Sequence, residues 1–371
     1  MSKILGICDL HHAPKLGRLT EYRPLAATSF LSRYGLIDFT LSNFSNSGID
    51  QIAVLVEENM NAIRGHIRDG NIYINNTKTG FLRLLMNEKQ LGTPFNTDVN
   101  NLLMNASLMD DVCSDYIVVA PAHYLMSIDY RDIVSEAIKS GADITIVYSA
   151  REDADKEFIG ADCIELGVNN EVKRIFANPG NKNDRNISLD TYIIKSSIFN
   201  GLIANSVHIS SLFNLRDMIS YAISNHQLFI RGYEFSGYVV PILSLNDYVN
   251  HSLELLEFSN RQKLFLDNWP IYTSTHNTPP ALYGPEANIK NSFVANGCII
   301  KGKVENSILS RGVTVEKGAA IKNCILFANS SIETNTKMTY VIMDRDAKAR
   351  QVKKISGKKD QVVVISQGEI I

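Results

Sequence analysis

The residues best placed to do chemistry lie near the start of the chain. Ile4-Leu5-Gly6-Ile7-Cys8 reads as a short buried strand that runs into Asp9-Leu10-His11-His12-Ala13-Pro14-Lys15-Leu16-Gly17-Arg18-Leu19-Thr20. A loop in that position grips a polyphosphate in many α/β proteins, and it needs glycines because only a bare backbone lets several N–H groups approach the anion. Here Leu10, His11 and Ala13 add side chains and Pro14 removes a donor. His11 and His12, together with His123, suggest a metal cluster by residue type. Adjacent loop histidines point apart, however, and no third ligand spacing supports them. Solvated or loosely packed histidines, and no metal site, are therefore expected. Lys15, Arg18 and Arg23 suit either weak anion affinity or ordinary surface and ion-paired roles.

The elements that position these residues alternate. Strands are expected at 4–8, 51–56, 116–120, 143–148 and 190–194, with helices near 35–47, 59–68, 98–109 and 130–139. Such alternation implies βαβ units and a mainly parallel sheet covered on both faces. The segment 245–265 has helical spacing and bridges to a region of different texture. From about residue 280, apolar residues recur every five or six positions: Ile289, Val294, Ile299, Val304, Ile308, Val313, then Ile321, Ile325, Ile332 and Met338. Gly297, Gly302, Gly312 and Gly318 stand beside them. That period is the signature of hexapeptide coils stacked in a parallel β-helix, with a plain antiparallel β domain as the alternative. The expected domains are 1–244, a helical linker 245–279, and a β-helix 280–371.

Composition excludes several classes. The chain has 371 residues, long enough for two domains, with 45% apolar and 20% charged residues. A net charge of −2 gives no reason to expect nucleic-acid or membrane-surface partners. No secretory signal and no apolar run of membrane-spanning length is apparent. Five scattered cysteines without a CxxC spacing fit a reduced, cytoplasmic setting.

Tyr34-Gly35-Leu36-Ile37-Asp38-Phe39-Thr40-Leu41-Ser42-Asn43, followed by Asn46-Ser47-Gly48-Ile49-Asp50, closely resembles the first helix region of ADP-glucose pyrophosphorylases (glucose-1-phosphate adenylyltransferases). The resemblance continues through Val54-Leu55-Val56, His123, Asp129-Tyr130, Gly141-Ala142-Asp143, Gly237-Tyr238, Asn268-Trp269-Pro270-Ile271-Tyr272 and Pro279-Pro280. It then enters the repeats through Asn291-Ser292, Gly297-Cys298 and Asn306-Ser307-Ile308-Leu309. These landmarks span nearly the whole chain in order. The resemblance implies a Rossmann-like, GT-A-like nucleotidyltransferase α/β domain followed by a left-handed parallel β-helix of hexapeptide repeats.

It also implies a reaction that joins ATP and glucose-1-phosphate into ADP-glucose and pyrophosphate. Two aspartates hold Mg²⁺ there because the metal must neutralise charge on the attacked phosphate and the leaving group. This sequence departs from the family pattern position by position. The loop arginine appears as Lys15, and a Lys-Pro then Pro-Phe-Gly-Gly stretch becomes Leu25-Ala26-Ala27-Thr28-Ser29-Phe30-Leu31-Ser32. Ser-Gly-Asp-His becomes Ala120-Pro121-Ala122-His123, so Ala122 replaces a metal aspartate. The second metal motif becomes Gly237-Tyr238-Val239-Val240-Pro241-Ile242-Leu243-Ser244, with Pro241 at the carboxylate position. The sugar-phosphate Glu-Lys-Pro becomes Ala177-Asn178-Pro179, and a base-contacting glutamine aligns with Glu57.

Losing one preorganised electrostatic group costs about 10²–10³ in rate, so losing the loop, both carboxylates and two lysines leaves no useful turnover even with strong non-additivity. The resemblance then implies the non-catalytic, D-type partner of a two-component ADP-glucose pyrophosphorylase. Its expected partner is a catalytic subunit, in a hetero-tetramer, with Mg²⁺ confined to that subunit and no cofactor here; the alternative assembly is a homo-oligomer of this chain alone. The rival is a weakly active or altered-specificity sugar-phosphate nucleotidyltransferase, which would have to recruit Asp9, Glu57 or Asp129. A hexapeptide acyltransferase would need a histidine in the coils, and 281–371 contains none. In relatives, sugar-phosphate effectors bind between the catalytic domain and the β-helix; by position, Arg33, Arg345, Lys348 and Arg350 are the effector-binding candidates.

Overall fold

The buried run at the start of the chain extends one residue past its apolar pattern, as β1 (Ile4–Asp9), in a computed structural model that describes residues 3–87, 96–107 and 112–371. Next come a small hairpin, β2 (Ser29–Phe30) and β3 (Tyr34–Gly35), then α1 (Ile37–Asn46), β4 (Gln51–Val56), α2 (Met60–Ile67) and β5 (Phe81–Met86). They are followed by α3 (Asp98–Met104), β6 (Tyr116–Pro121), β7 (Tyr124–Leu125) and α4 (Tyr130–Ser140). Then follow β8 (Ile144–Arg151), β9 (Asp162–Leu166), β10 (Val172–Ala177), β11 (Arg185–Lys195), α5 (Ser196–Ile209) and α6 (Leu215–Ser224). After β12 (Ile230–Glu234) and β13 (Val240–Pro241), two short helices, α7 (Leu245–Glu254) and α8 (Phe258–Leu264), lead into the repeats. The expected helix 98–109 ends at Met104, and its residues 108 and 109 lie outside the described residues.

Two units divide the described residues. One draws on 1–13, 37–243 and 267–272, the other on 14–36, 244–266 and 273–371. The first unit's long central segment thus ends beside the expected boundary at 244. The segment 14–36 and helices α7 and α8 group with the repeats instead, so 245–279 is no separate linker. The reason lies in specific bonds: the Arg23 guanidinium donates to the Asp344 carboxylate, and the Tyr248 hydroxyl donates to the Ser29 carbonyl at 2.5 Å.

The first unit is built on one large sheet. β1 pairs in parallel with β4 on one side and β6 on the other, and β4 pairs in parallel with β5. β11 runs antiparallel to β6, β8 and β9, whereas β12 joins β8 in parallel. The sheet is therefore mixed: β11 is inserted antiparallel between β6 and β8, which run in the same direction with α4 between them in the chain, and β10 is the other reversed strand. Leu5, Ile7, Ile117, Ile146 and Ile194 pack its core against Phe199 and Met218 of the covering helices. The chain crosses from β1 to β4 and β5 on one side and then to β6 on the other, so the carboxyl ends of β1 and β6 mark a topological switch point, where α/β sheets place ligands.

The second unit holds the solenoid. Three five-stranded parallel sheets form its faces, beginning at Leu282–Tyr283, Asn288–Lys290 and Phe293–Val294. In the middle face Ile289, Val304, Ile321, Met338 and Ile355 stack in register, one per coil, as a continuous apolar column. Ile300, not Ile299, is the fully buried residue of its pair. Cys298 and Cys324 are buried in this core, as simple packing residues. The corners are turned by left-handed backbone that asparagine shares with glycine: Asn291, Asn306 and Asn323 take φ of 41°, 46° and 51°. Their amides form a ladder, Asn291 donating to Asn306 at 3.0 Å and Asn306 to Asn323 at 2.6 Å. Gly318 serves another corner at φ +75°, where an added Cβ would meet the Asn335 amide oxygen at 2.1 Å.

Candidate functional site

The switch point gathers polar side chains from four places in the chain. Asp9 ends β1 and lies opposite Pro121 at the end of β6. The His11 backbone N–H and Nδ1 both bond Asp9 Oδ1, at 3.1 and 2.9 Å, and Asn101 Nδ2 lies 3.4 Å from His11 Nε2. Asp98, the first residue of α3, is buried and accepts the Val99 N–H at 2.7 Å and the Leu215 N–H at 3.1–3.2 Å. His12 Nε2 stands 3.6 Å from Asp98 Oδ2. His123 is buried, with Nε2 3.4 Å from Asp190 Oδ2. Asp190 is aimed by a register shift between Ser188 and Thr191 in β11, the bulge geometry that redirects a side chain.

These positions correct the expectation of loosely packed histidines. His11 and His123 are buried and each faces a carboxylate; only His12 is substantially open to solvent. Asp98 and Asp190 were not visible as site residues in the sequence. The one available signal was an aspartate inside the strand run Ser188-Leu189-Asp190-Thr191-Tyr192, polar where the pattern is apolar.

The electrostatics of the cluster are anionic. Burial disfavours the Asp9 charge, but the bond from His11 and the neighbouring imidazoles hold its carboxyl below the usual range. Burial and the adjacent Asp9 charge raise Asp98 above it. For His12, burial opposes the cation, yet Asp98, Asp9 and Asp190 outweigh it and push the group up to about 9. The acidic side chains of Asp9, Asp98 and Asp190 make a poor seat for a polyphosphate, whose charge a carboxylate repels.

The degenerate positions also meet here. Ala122 follows β6 and is buried, and Pro241 in β13 pairs with Tyr124 in β7, two residues beyond Ala122. The Ile242 N–H bonds the His123 carbonyl, which fixes the two segments side by side. These neighbouring segments therefore present a methyl group at Ala122 and a pyrrolidine ring at Pro241, and neither can ligate Mg²⁺. Among the recruits an active enzyme would need, Asp129 caps α4 and is gripped by Arg131 at 2.6–3.1 Å. Glu57, half-buried at the end of β4, has its carbonyl bonded by Asn96.

Asn178 has an explicit alternative employment. Its amide donates to the Ala154 and Phe158 carbonyls at 2.7 and 3.0 Å and accepts the Gly180 N–H at 3.1 Å. Asn178→Lys would introduce the residue type that the resemblance implies but strand those two carbonyls. It is expected to destabilise the protein by about 1–3 kcal/mol, measured by urea unfolding; a change under about 0.5 kcal/mol would contradict this role.

In the second unit, Lys15 is exposed and Leu25 is buried in a short 3₁₀ turn, Leu25–Ala27. Within the stretch where the resemblance implies Gly-Gly, Leu31 and Ser32 keep left-handed backbone, at φ 45° and 72°. Side chains in that conformation cost about 1–2 kcal/mol each. Arg33 is exposed at the same hairpin tip, its guanidinium 5.3 Å from the Tyr34 ring centroid. Arg345 is half-buried; burial and the Arg23 charge lower its pKa. Lys348 lies in a late coil strand paired with Ser331, and Arg350 Nε is 3.6 Å from Glu333. Arg18 pairs loosely with Glu369 at 3.7 Å, whereas Arg23 is buried in an ion pair.

Comparison with known proteins agrees with this geometry. Residues 13–234 match the model of the nucleotidyl transferase family, and residues 281–361 match that of the GlmU-like C-terminal hexapeptide. The chain is similar to the glycogen biosynthesis protein GlgD of Bacillus subtilis (strain 168), 28% identical over 99% of this chain and 96% of that protein. It is 30% identical to GlgD of Geobacillus stearothermophilus over 86% and 83% of the two chains. With the glucose-1-phosphate adenylyltransferase of Thermosipho africanus it shares 29% identity over 83% and 75%. Matched along both its sheet unit and its coils, the chain belongs to the ADP-glucose pyrophosphorylase (glucose-1-phosphate adenylyltransferase) family, in its D-type branch.

Proposed function

We propose that this chain is the non-catalytic regulatory subunit of a two-component ADP-glucose pyrophosphorylase, and that it raises the activity of a catalytic subunit in glycogen synthesis. One observation carries the reading: Ala122 and Pro241, on segments joined by the β7–β13 pairing, are apolar and buried at the positions where the resemblance implies metal carboxylates. Magnesium does not fit the residues at these two positions, so nucleotidyl transfer falls to the partner, which also holds the metal. The anionic cluster of Asp9, Asp98 and Asp190 further supports a cleft that does not bind nucleotide triphosphate. Activation then works through association in a hetero-tetramer, which requires that this chain bind the partner's active conformation better than its inactive one.

The test is a mixed assay of ADP-glucose formation by this chain alone, by the catalytic subunit alone, and by both. The expected result is no product from this chain and a clear increase in the mixture, with both chains co-eluting on size exclusion. Turnover by the purified chain, or a mixture no faster than the catalytic subunit, would overturn the reading. Repeating the mixture with fructose-1,6-bisphosphate or phosphate, using wild type and Arg33→Ala, tests whether Arg33, Arg345, Lys348 and Arg350 serve an effector. An identical response from both would remove Arg33 from that role.

A further inference from the structure

We propose that Asp9, His12 and Asp98 form a binding site for a zinc-class divalent transition ion, separate from the magnesium chemistry this cleft has lost. One ligand atom from each residue lies within 4.8 Å of the other two. In a tetrahedral zinc site with bonds of about 2.0–2.1 Å, ligand atoms stand about 3.3–3.4 Å apart. His12 Nε2 and Asp98 Oδ2 are separated by 3.6 Å, too long for a hydrogen bond and close to that tetrahedral edge. The spacing suits a loose ion pair and equally the edge of a shared coordination shell.

The surroundings match what a metal site requires. Each carboxylate is oriented by a second layer of bonds: Asp98 by the Val99 and Leu215 N–H groups, Asp9 by the backbone N–H and Nδ1 of His11. Such outer partners fix ligand direction. The Asp98 and Asp9 side chains are 3% and 12% exposed, whereas His12 is 41% exposed. His12 thus forms the solvent-facing wall, giving an entry path and a fourth position for water. Charge balance favours a divalent ion, because two enclosed carboxylates are neutralised by one M²⁺ but only half neutralised by one imidazolium. An imidazole with two carboxylates suits zinc and its first-row neighbours better than magnesium or calcium, which prefer all-oxygen shells.

Isothermal titration of the full chain with ZnCl₂ after chelator dialysis tests this, with Co²⁺ absorption as a second readout. The Cys113→Ser background removes the exposed thiol as a competing ligand. One equivalent is expected to bind in that background and in His226→Ala, an exposed control. His12→Ala and Asp98→Asn, with circular dichroism verifying their fold, are expected to lose more than about 100-fold in affinity. His11→Ala, which removes an outer partner, is expected to lose about 10–100-fold. No binding by the Cys113→Ser protein, or binding unchanged in both His12→Ala and Asp98→Asn, would overturn the site. Neither result bears on the mixed assay, so the two readings fail separately.

Discussion

Arg23→Ala is expected to destabilise the second unit by about 3–5 kcal/mol, the cost of leaving one buried charge without its partner. The Arg23 guanidinium donates to both Asp344 oxygens at 2.7 and 2.9 Å and to Gln367 Oε1 at 2.9 Å. Its side chain is 3% exposed and that of Asp344 only 1%. It also stands 5.7 Å from the Phe327 ring centroid. Without it the carboxylate keeps only local donors such as the Arg345 N–H, at 2.6 Å. Asp344→Ala should cost at least as much, because Arg23 and Arg345 would then face each other across an unneutralised pocket. The double variant Arg23→Met/Asp344→Leu is expected to lie near wild type, since replacing both partners of a buried ion pair by apolar groups is often neutral. Urea unfolding read through hydrogen exchange at Val341–Met343 isolates the affected unit. Single substitutions costing under about 1 kcal/mol would show that the pair is not what ties 14–36 to the coils.

That pair also shows where sequence reading stops. Arg23 was legible only as a basic residue near a loop, because its partner lies more than three hundred positions away and no local pattern marks it. The same applies to the Asp9–His12–Asp98 cluster, whose members are brought together by strand order and not by spacing. Local signals fared better. The apolar runs at 4–8 and 51–56 became β1 and β4 nearly as read, since continuous burial leaves a continuous pattern. β11 begins five residues before the expected 190 because Arg185, Asn186 and Ser188 break the apolar run without breaking the hydrogen-bonded ladder. The coil period was plain, yet the corners at Asn291, Asn306 and Asn323 were not read as turns because attention to glycine alone misses asparagine's tolerance of positive φ.

Ala122→Asp and Pro241→Asp, singly or together, are expected to give no ADP-glucose from the purified chain, even with Mg²⁺ and ATP. Two restored carboxylates address only part of the deficit, because the open loop and the sugar-phosphate lysine are still missing and each such group is worth about 10²–10³. The new carboxylates are also badly placed. Ala122 is 2% exposed, so an aspartate there must be desolvated or stay protonated. Asp190 already bears on Tyr124 two residues along, and its charge further disfavours ionisation nearby. A thermal melt should therefore move down by several degrees, given about 2–4 °C per kcal/mol for a unit of this size. Measurable pyrophosphate release from the double variant would mean that the rest of the machinery is intact, and the non-catalytic reading would shrink to two side chains. Under the proposed function, activation of the partner is exerted by association and not by this cleft. A folded double variant is accordingly expected to keep its stimulating effect in the mixture, and losing that effect while remaining folded would place the regulatory element at the switch point itself.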